Sequence, residues 1–443
     1  MIFPQTKVTL ASPSGRSADA GGGPDILRFI TAGSVDDGKS TLIGRLLYDT
    51  KNILVDQLEA VERASKTKGD GERGGAPIDL ALLTDGLRSE REQGITIDVA
   101  YKYFQTDKRK FISIDAPGHI QYTRNMVTGA SNADLAIILV DARQGVIEQT
   151  RRHSLIASLL GIPHIVVAIN KMDLVNFSED TFLKIAQEYQ QLAQKLGIKD
   201  LTIIPVSALN GDNIVDKSDN MPWYTGEVLL HYLETVNVQN DYNLTHPRFM
   251  VQYVLRPQTE ELHDYRGYAG KVQSGIFRVG DAITVLPSEQ TSKIAKIEQY
   301  GQEIEEASAG MSVTILLETD VDISRGDLLA KSDALPTLSQ DVEATICWMD
   351  DRKELKIGSK YTLQHGTHRV RCSVRGIEYR IDVNNYEEIE GVESLKLNDI
   401  AKVSLRTAKP LAYDAYLENR TNGAAILIDE TSNVTVGACM MEG

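Results

Sequence analysis

The feature that most constrains this chain is Gly33-Ser34-Val35-Asp36-Asp37-Gly38-Lys39-Ser40, which follows the apolar run Arg28 to Thr31 and precedes the helical segment Thr41 to Tyr48. A glycine-rich turn between strand and helix, closing on Gly-Lys-Ser, is the pattern of a phosphate-binding loop. Its glycines let backbone N–H groups close around phosphate oxygens, and the helix N-terminus adds a favourable dipole. Lys39, read as an exposed loop lysine, neutralises charge at the β- and γ-phosphates, and Ser40 offers a hydroxyl to Mg²⁺. Residues Gly33 to Ser40, with Thr41 behind them, are the candidate phosphate contacts.

A loop of this kind needs a parallel sheet to carry it, and the chain has one to offer. Apolar runs at Phe111 to Ile114, Ala136 to Val140, Ile165 to Ile169 and Ile203 to Val206 alternate with longer mixed segments. Runs of this length suit strands buried on both faces, and the mixed segments suit crossover helices. Residues 25–240 therefore read as a doubly wound α/β domain. After Trp223 the style changes, and Val238 to Pro247 reads as a polar connection. From Phe249 short alternating strands are broken by Arg266-Gly267, Ser274-Gly275 and Val279-Gly280-Asp281, the mark of an antiparallel barrel at 246–336. Ser332 to Gln340, containing Pro336, reads as a second connection, and 340–443 as a second barrel with breaks at His365-Gly366, Asn398-Asp399 and Asn422-Gly423. Residues 1–24, rich in serine and glycine, read as a flexible tail.

Three further motifs stand at strand ends, where nucleotide sites of doubly wound sheets form. Asp115-Ala116-Pro117-Gly118-His119 follows the second apolar run. Asp115 is placed to hold Mg²⁺ through water, Gly118 can offer its N–H to a γ-phosphate, and His119 can orient an attacking water. Asn170-Lys171-Met172-Asp173 puts a carboxylate where it can accept from guanine N1 and N2, a donor pair that adenine lacks. Ser207-Ala208-Leu209 ends the next run, where a backbone N–H can reach guanine O6. Thr96, inside the charged stretch Glu90 to Asp98, can ligate Mg²⁺ and sense the γ-phosphate as part of a switch loop. The nucleotide read from these motifs is GTP, with Mg²⁺.

Composition excludes more than it assigns. The net charge of −15 argues against bulk nucleic-acid binding, since phosphate contacts supply most of that affinity. The three cysteines are far apart and lack metal-ligand spacing, which speaks against a disulfide framework or a zinc site. No apolar run is long enough to span a bilayer, and the N-terminus has no secretory pattern, so the chain reads as cytoplasmic with no membrane partner.

With these motifs in order, the chain resembles the translational GTPase class built like elongation factor Tu, over residues 26–443. Within it the chain looks most like the GTPase (large) subunits of bacterial sulfate adenylyltransferase, or ATP sulfurylase. The stretches that carry this likeness are Gly33 to Asp49, Gln121 to Met126, Gln149-Thr150-Arg151-Arg152-His153, Trp348 to Arg352 and Asn433 to Ala438. Translation factors usually have histidine where Ser34 stands and a lysine-bearing stretch in place of Thr123 to Met126. The tail departs from the family's usual start, and the chain stops at Gly443, short of the adenylylsulfate kinase domain fused to some relatives.

The resemblance implies a P-loop GTPase domain followed by two antiparallel β-barrels. It implies a smaller catalytic partner subunit that makes adenylyl sulfate and pyrophosphate from ATP and sulfate, driven uphill by GTP hydrolysis here. It also implies an apolar gate of Val35 and Ile95 near His119. Two other functions compete. A translation factor delivering aminoacyl-tRNA shares every nucleotide residue, but residues 341–443 hold 13 basic against 17 acidic side chains, which disfavours RNA. A purely regulatory GTPase would show no adenylyl transfer in any reconstituted complex.

Overall fold

The computed structural model describes residues 26–53, 59, 80–83, 98–119, 122–238, 243–257 and 264–443. The expected tail, Ile95 and Thr96 lie outside them. The chain divides into two compact units, Met1–Val238 and Gln239–Gly443.

The first unit is built on a six-stranded sheet. Its strands are β1 (Ile26–Ala32), β2 (Ala100–Gln105), β3 (Lys110–Asp115), β4 (Leu135–Asp141), β5 (His164–Asn170) and β6 (Asp200–Pro205), in the order β2-β3-β1-β4-β5-β6. All pair in parallel except β2, which runs antiparallel to β3. β4 and β5 are buried along their whole length, as continuous apolar runs covered on both faces should be. β2 (AYKYFQ) has only Phe104 buried and was not legible as a strand, because an edge strand needs no apolar run.

Helices α1 (Lys39–Asp49), α2 (Thr123–Ala130), α3 (Glu148–Leu159), α4 (Glu179–Lys195) and α5 (Leu229–Thr235) connect or flank the strands. α1 buries Leu42, Ile43, Leu46 and Leu47, the spacing of one helical face, in the core formed with Phe29 of β1, Ile137 of β4 and Leu229 of α5. Burying each such side chain contributes about 2 kcal/mol. Ser178 caps α4 by accepting from the N–H of Thr181 at 3.2 Å. Because the crossovers keep β1 and β3–β6 parallel, the loops that carry the motifs all leave the same edge of the sheet.

The second unit contains two closed six-stranded antiparallel barrels. In the first, the strands run in the order Ala282–Leu286, Leu328–Lys331, Arg248–Leu255, Gly267–Ser274, Ser312–Leu317 and Gln290–Gln299, and the last pairs back with Ala282–Leu286. In the second the order is Lys360–His365, Ala424–Ile428, Thr435–Met441, Thr337–Trp348, Ile400–Tyr413 and His368–Ile381, closed by His368–Ile381 against Lys360–His365. Phe249 and Phe277 fill the first barrel, and Trp348 and Tyr361 the second. The strand Thr337–Trp348 starts inside the stretch read as a connection, immediately after Pro336: proline cannot donate to a ladder, but the next residue can, and Thr337 lies opposite Tyr413.

The barrels meet at a buried polar cluster. Arg248 donates to both carboxylate oxygens of Asp414, at 2.9 and 2.8 Å, and to the carbonyls of Pro247 and Ala334. Asn419 and Asn422 donate to the same Asp414 oxygen. Arg248 and Asp414 are both buried, so each charge is compensated by these partners rather than by bulk water.

Candidate functional site

The phosphate loop is shaped by two backbone positions. Gly38 has φ +92, and a Cβ there would stand 2.5 Å from Asn170 Nδ2. Gly118 has no room for a Cβ either: it would stand 2.7 Å from Lys39 Nζ and 2.8 Å from Val35 N. Only glycine lets these two chains approach this closely.

Lys39 is buried, which corrects the reading of an exposed lysine: helix α1 begins with it, and its stem turns inward under the loop. Its Nζ donates to the carbonyls of Gly33 at 3.1 Å and Ser34 at 2.8 Å. Burial pushes the ammonium below its usual value, opposed by the charges of Asp115, Asp37 and Asp36. Burial likewise pushes the Asp37 carboxyl up, although it accepts from the N–H of Ser34. Asp36 is exposed with φ 67, and Val35 and Thr41 are partly buried.

Asp115 and Ser40 are brought together. Ser40 Oγ donates to Asp115 Oδ2 at 2.9 Å, and Thr31 Oγ1 to Asp115 Oδ1 at 3.0 Å. A hydroxyl and a carboxylate converging at the phosphate end of the site are the hard oxygen donors that Mg²⁺ takes, alongside phosphate and water. The residues present fit that ion. Pro117 and Gly118 are buried, whereas His119 is exposed, its ring edge-on to Tyr122 at 6.2 Å.

The other end of the site is held by Asn170. Its Nδ2 donates to Asp37 O at 2.7 Å, and its Oδ1 accepts from Ala208 N–H at 2.9 Å. One side chain thus ties the phosphate loop to the Ser207-Ala208-Leu209 loop. Asp173 Oδ1 accepts from Ser207 Oγ at 2.7 Å. Lys171 has φ 63, and its Nζ lies 3.0 Å from Asp141 Oδ2.

Several participants escaped the sequence reading. Burial works to raise the Asp141 pKa, but hydrogen bonds from the side chain and backbone of Arg143 and from Lys171 outweigh it and hold it down to about 2. The signal was an acid ending the all-apolar strand LAIILVD. Gln149 Nε2, on α3, donates to Gly118 O at 3.1 Å from a buried position. Beside it, Gln149 Oε1, Thr150 Oγ1 and His153 Nδ1 are buried with no hydrogen-bond partner among the described residues.

Comparison with known proteins gives the family. The elongation factor Tu GTP binding domain family matches residues 24–256, and the GTP-eEF1A C-terminal domain-like family matches residues 341–442. The fold and site thus define a GTPase of the elongation-factor-Tu type. Sulfate adenylyltransferase subunit 1 of Bacteroides thetaiotaomicron is 52% identical over 425 residues, covering 94% of this chain and 86% of that protein. The bifunctional enzyme CysN/CysC of Mycobacterium tuberculosis is 52% identical over 416 residues, covering 94% of this chain and 67% of that protein. A solved structure of sup35 complexed with GMPPNP aligns at a TM-score of 0.43 and 22% identity, over 95% of this chain and 94% of that one. The chain belongs to the sulfate adenylyltransferase subunit 1 family.

Proposed function

We propose that this chain binds and hydrolyses GTP with Mg²⁺, and that hydrolysis drives a smaller catalytic subunit to form adenylyl sulfate and pyrophosphate from ATP and sulfate in the cytoplasm. One observation carries the reading: the Gly33–Ser40 loop and the Ser207-Ala208-Leu209 loop tied together by Asn170, in a chain 52% identical to a sulfate adenylyltransferase subunit 1 along 94% of its length. Among the described residues no helix is long and apolar enough to cross a membrane.

In this reading the phosphate loop from Gly33 to Thr41 cradles the phosphates, and Lys39 meets the β- and γ-oxygens from inside the loop. Ser40 and Thr96 would hold Mg²⁺ directly and Asp115 through water, and the ion would neutralise charge between the β- and γ-phosphates. The N–H of Gly118 meets the γ-phosphate, and Gln149 fixes the carbonyl of the same residue. His119 turns from the surface to hold a water in line. The water oxygen bonds to the γ-phosphorus as the bond from phosphorus to the β–γ bridging oxygen breaks, the water's proton passes to the phosphate so formed, and GDP and phosphate leave. Asp173 reads guanine N1 and N2, with Lys171 braced by Asp141 and the Ser207-Ala208-Leu209 loop at O6. The three domains of this reading are 25–240, 246–336 and 340–443.

The test is co-expression with the smaller subunit and a pyrophosphate-release assay with ATP and sulfate. GTP should raise the yield of adenylyl sulfate, and a non-hydrolysable analogue should not. Equal yields with and without GTP would remove the coupling.

A further inference from the structure

Arg45 lies on α1, beyond Lys39 and Ser40, and reaches away from the phosphates toward the base-reading loop. Its Nε donates to Ala208 O at 3.2 Å, and one terminal nitrogen donates to Leu209 O. The other terminal nitrogen lies 3.4 Å from Asp49 Oδ1, one turn further along the helix, and the guanidinium lies 5.7 Å from the centre of the Tyr48 ring. All three nitrogens are thereby committed, and the flat, five-donor fork is held in one orientation.

A trans peptide unit is planar, and its C=O and N–H point to opposite sides. Holding Ala208 O from the α1 side therefore directs the N–H of Leu209 the other way. Ala208's own N–H is already given to Asn170. We infer that Arg45 is a positioning residue for guanine specificity: by gripping the carbonyls of Ala208 and Leu209 it aims the Leu209 N–H at guanine O6. The inference rests on the guanine-site reading above. It also makes α1 a strut with phosphate contacts at its start and base recognition on its second turn.

The test compares wild type with Arg45→Ala and Arg45→Lys, using GTP, ATP, ITP and 6-thio-GTP. ITP lacks the exocyclic N2 that Asp173 reads; 6-thio-GTP keeps N1 and N2 but replaces O6 with a poorer acceptor. Arg45→Ala should raise the KM for GTP several-fold, up to about 10-fold, with a much smaller change in kcat, because the bond the nucleotide loses is the neutral one from the Leu209 N–H to O6. Its preference for GTP over 6-thio-GTP should collapse toward one, while its preference for GTP over ITP persists. Arg45→Lys, which keeps the charge but not the fork, should fall between. A merely structural role would weaken all guanine nucleotides in proportion and leave both ratios unchanged, which would overturn the inference. Loss of the 6-thio-GTP ratio in neither variant, with wild type still preferring GTP to ATP, would overturn the inference alone. Wild type without preference for GTP over ATP would overturn the guanine reading and this inference with it.

Discussion

The Asp173 carboxylate is held by Ser207, whose Oγ donates to Asp173 Oδ1 at 2.7 Å. The contact joins the loop after β5 to the loop after β6, so the carboxylate proposed to read guanine is positioned by the neighbouring loop. Asp173→Asn replaces an acceptor pair with a donor and an acceptor. GTP affinity should fall about 100-fold, as expected when one bond to a charged group is lost and the other becomes a neutral bond, and xanthosine triphosphate should bind better than GTP. Titration of both nucleotides against the variant checks this, and unchanged GTP affinity would sink it.

Lys39→Ala should abolish measurable GTP turnover. The amino group sits against the Gly33 and Ser34 carbonyls, so the variant also leaves those oxygens unpaired inside the loop. Because Lys39 is buried, a small loss of thermal stability should accompany the loss of turnover. Turnover near the wild-type rate would show that the loop does not hold phosphate.

His119→Ala should leave GTP affinity nearly unchanged, since the exposed ring touches Tyr122 rather than the loop. Single-turnover hydrolysis with the partner subunit present should fall by about 10² or more, the cost of losing one group that positions charge or water in the transition state. Adenylyl sulfate yield should fall with it. Wild-type hydrolysis would show that another group holds the water.

Acid should destabilise both units. His153 is buried among α3 residues, and burial, with the nearby charges of Lys39 and Arg152, depresses its pKa from 6.5 to about 3. His365 is depressed to about 4, by burial first, with His368 adding to it against its bond to Asn422. Each is neutral when folded and takes up a proton when unfolded below pH 6.5. Their contribution is therefore complete above 6.5 and is lost as pH falls toward 3 and 4 respectively. At pH 5 each should cost about 2 kcal/mol. Melting temperature against pH checks this: His153→Asn should flatten the slope of the first unit between pH 6.5 and 4, and an unchanged slope would contradict the assignment.

The sheet was legible where physics leaves one choice. An apolar run such as Leu135 to Val140 has no polar face to turn to water, so it must lie inside a covered sheet. β2 was not legible, because its alternating Tyr101, Lys102 and Tyr103 suit an edge or a loop equally. The nucleotide motifs could be read because each ends a strand. What they do to one another could not. Asn170 bridging Asp37 and Ala208, and Gln149 reaching Gly118, join residues far apart in the chain, and no spacing encodes such a meeting. The burial of Gln149, Thr150 and His153, with atoms unpartnered among the described residues, was hidden for the same reason: burial of a helix face depends on what packs over it.

The Arg248–Asp414 pair has a consequence for how this chain can be recombined. A barrel transplanted from a relative without the matching ion would leave its neighbour with a lone charge sealed from water, a penalty of about 3–5 kcal/mol when one partner of a buried pair is removed. The barrels are therefore not separable modules. A working chimera must place its junction before Arg248 or carry both halves of the lock.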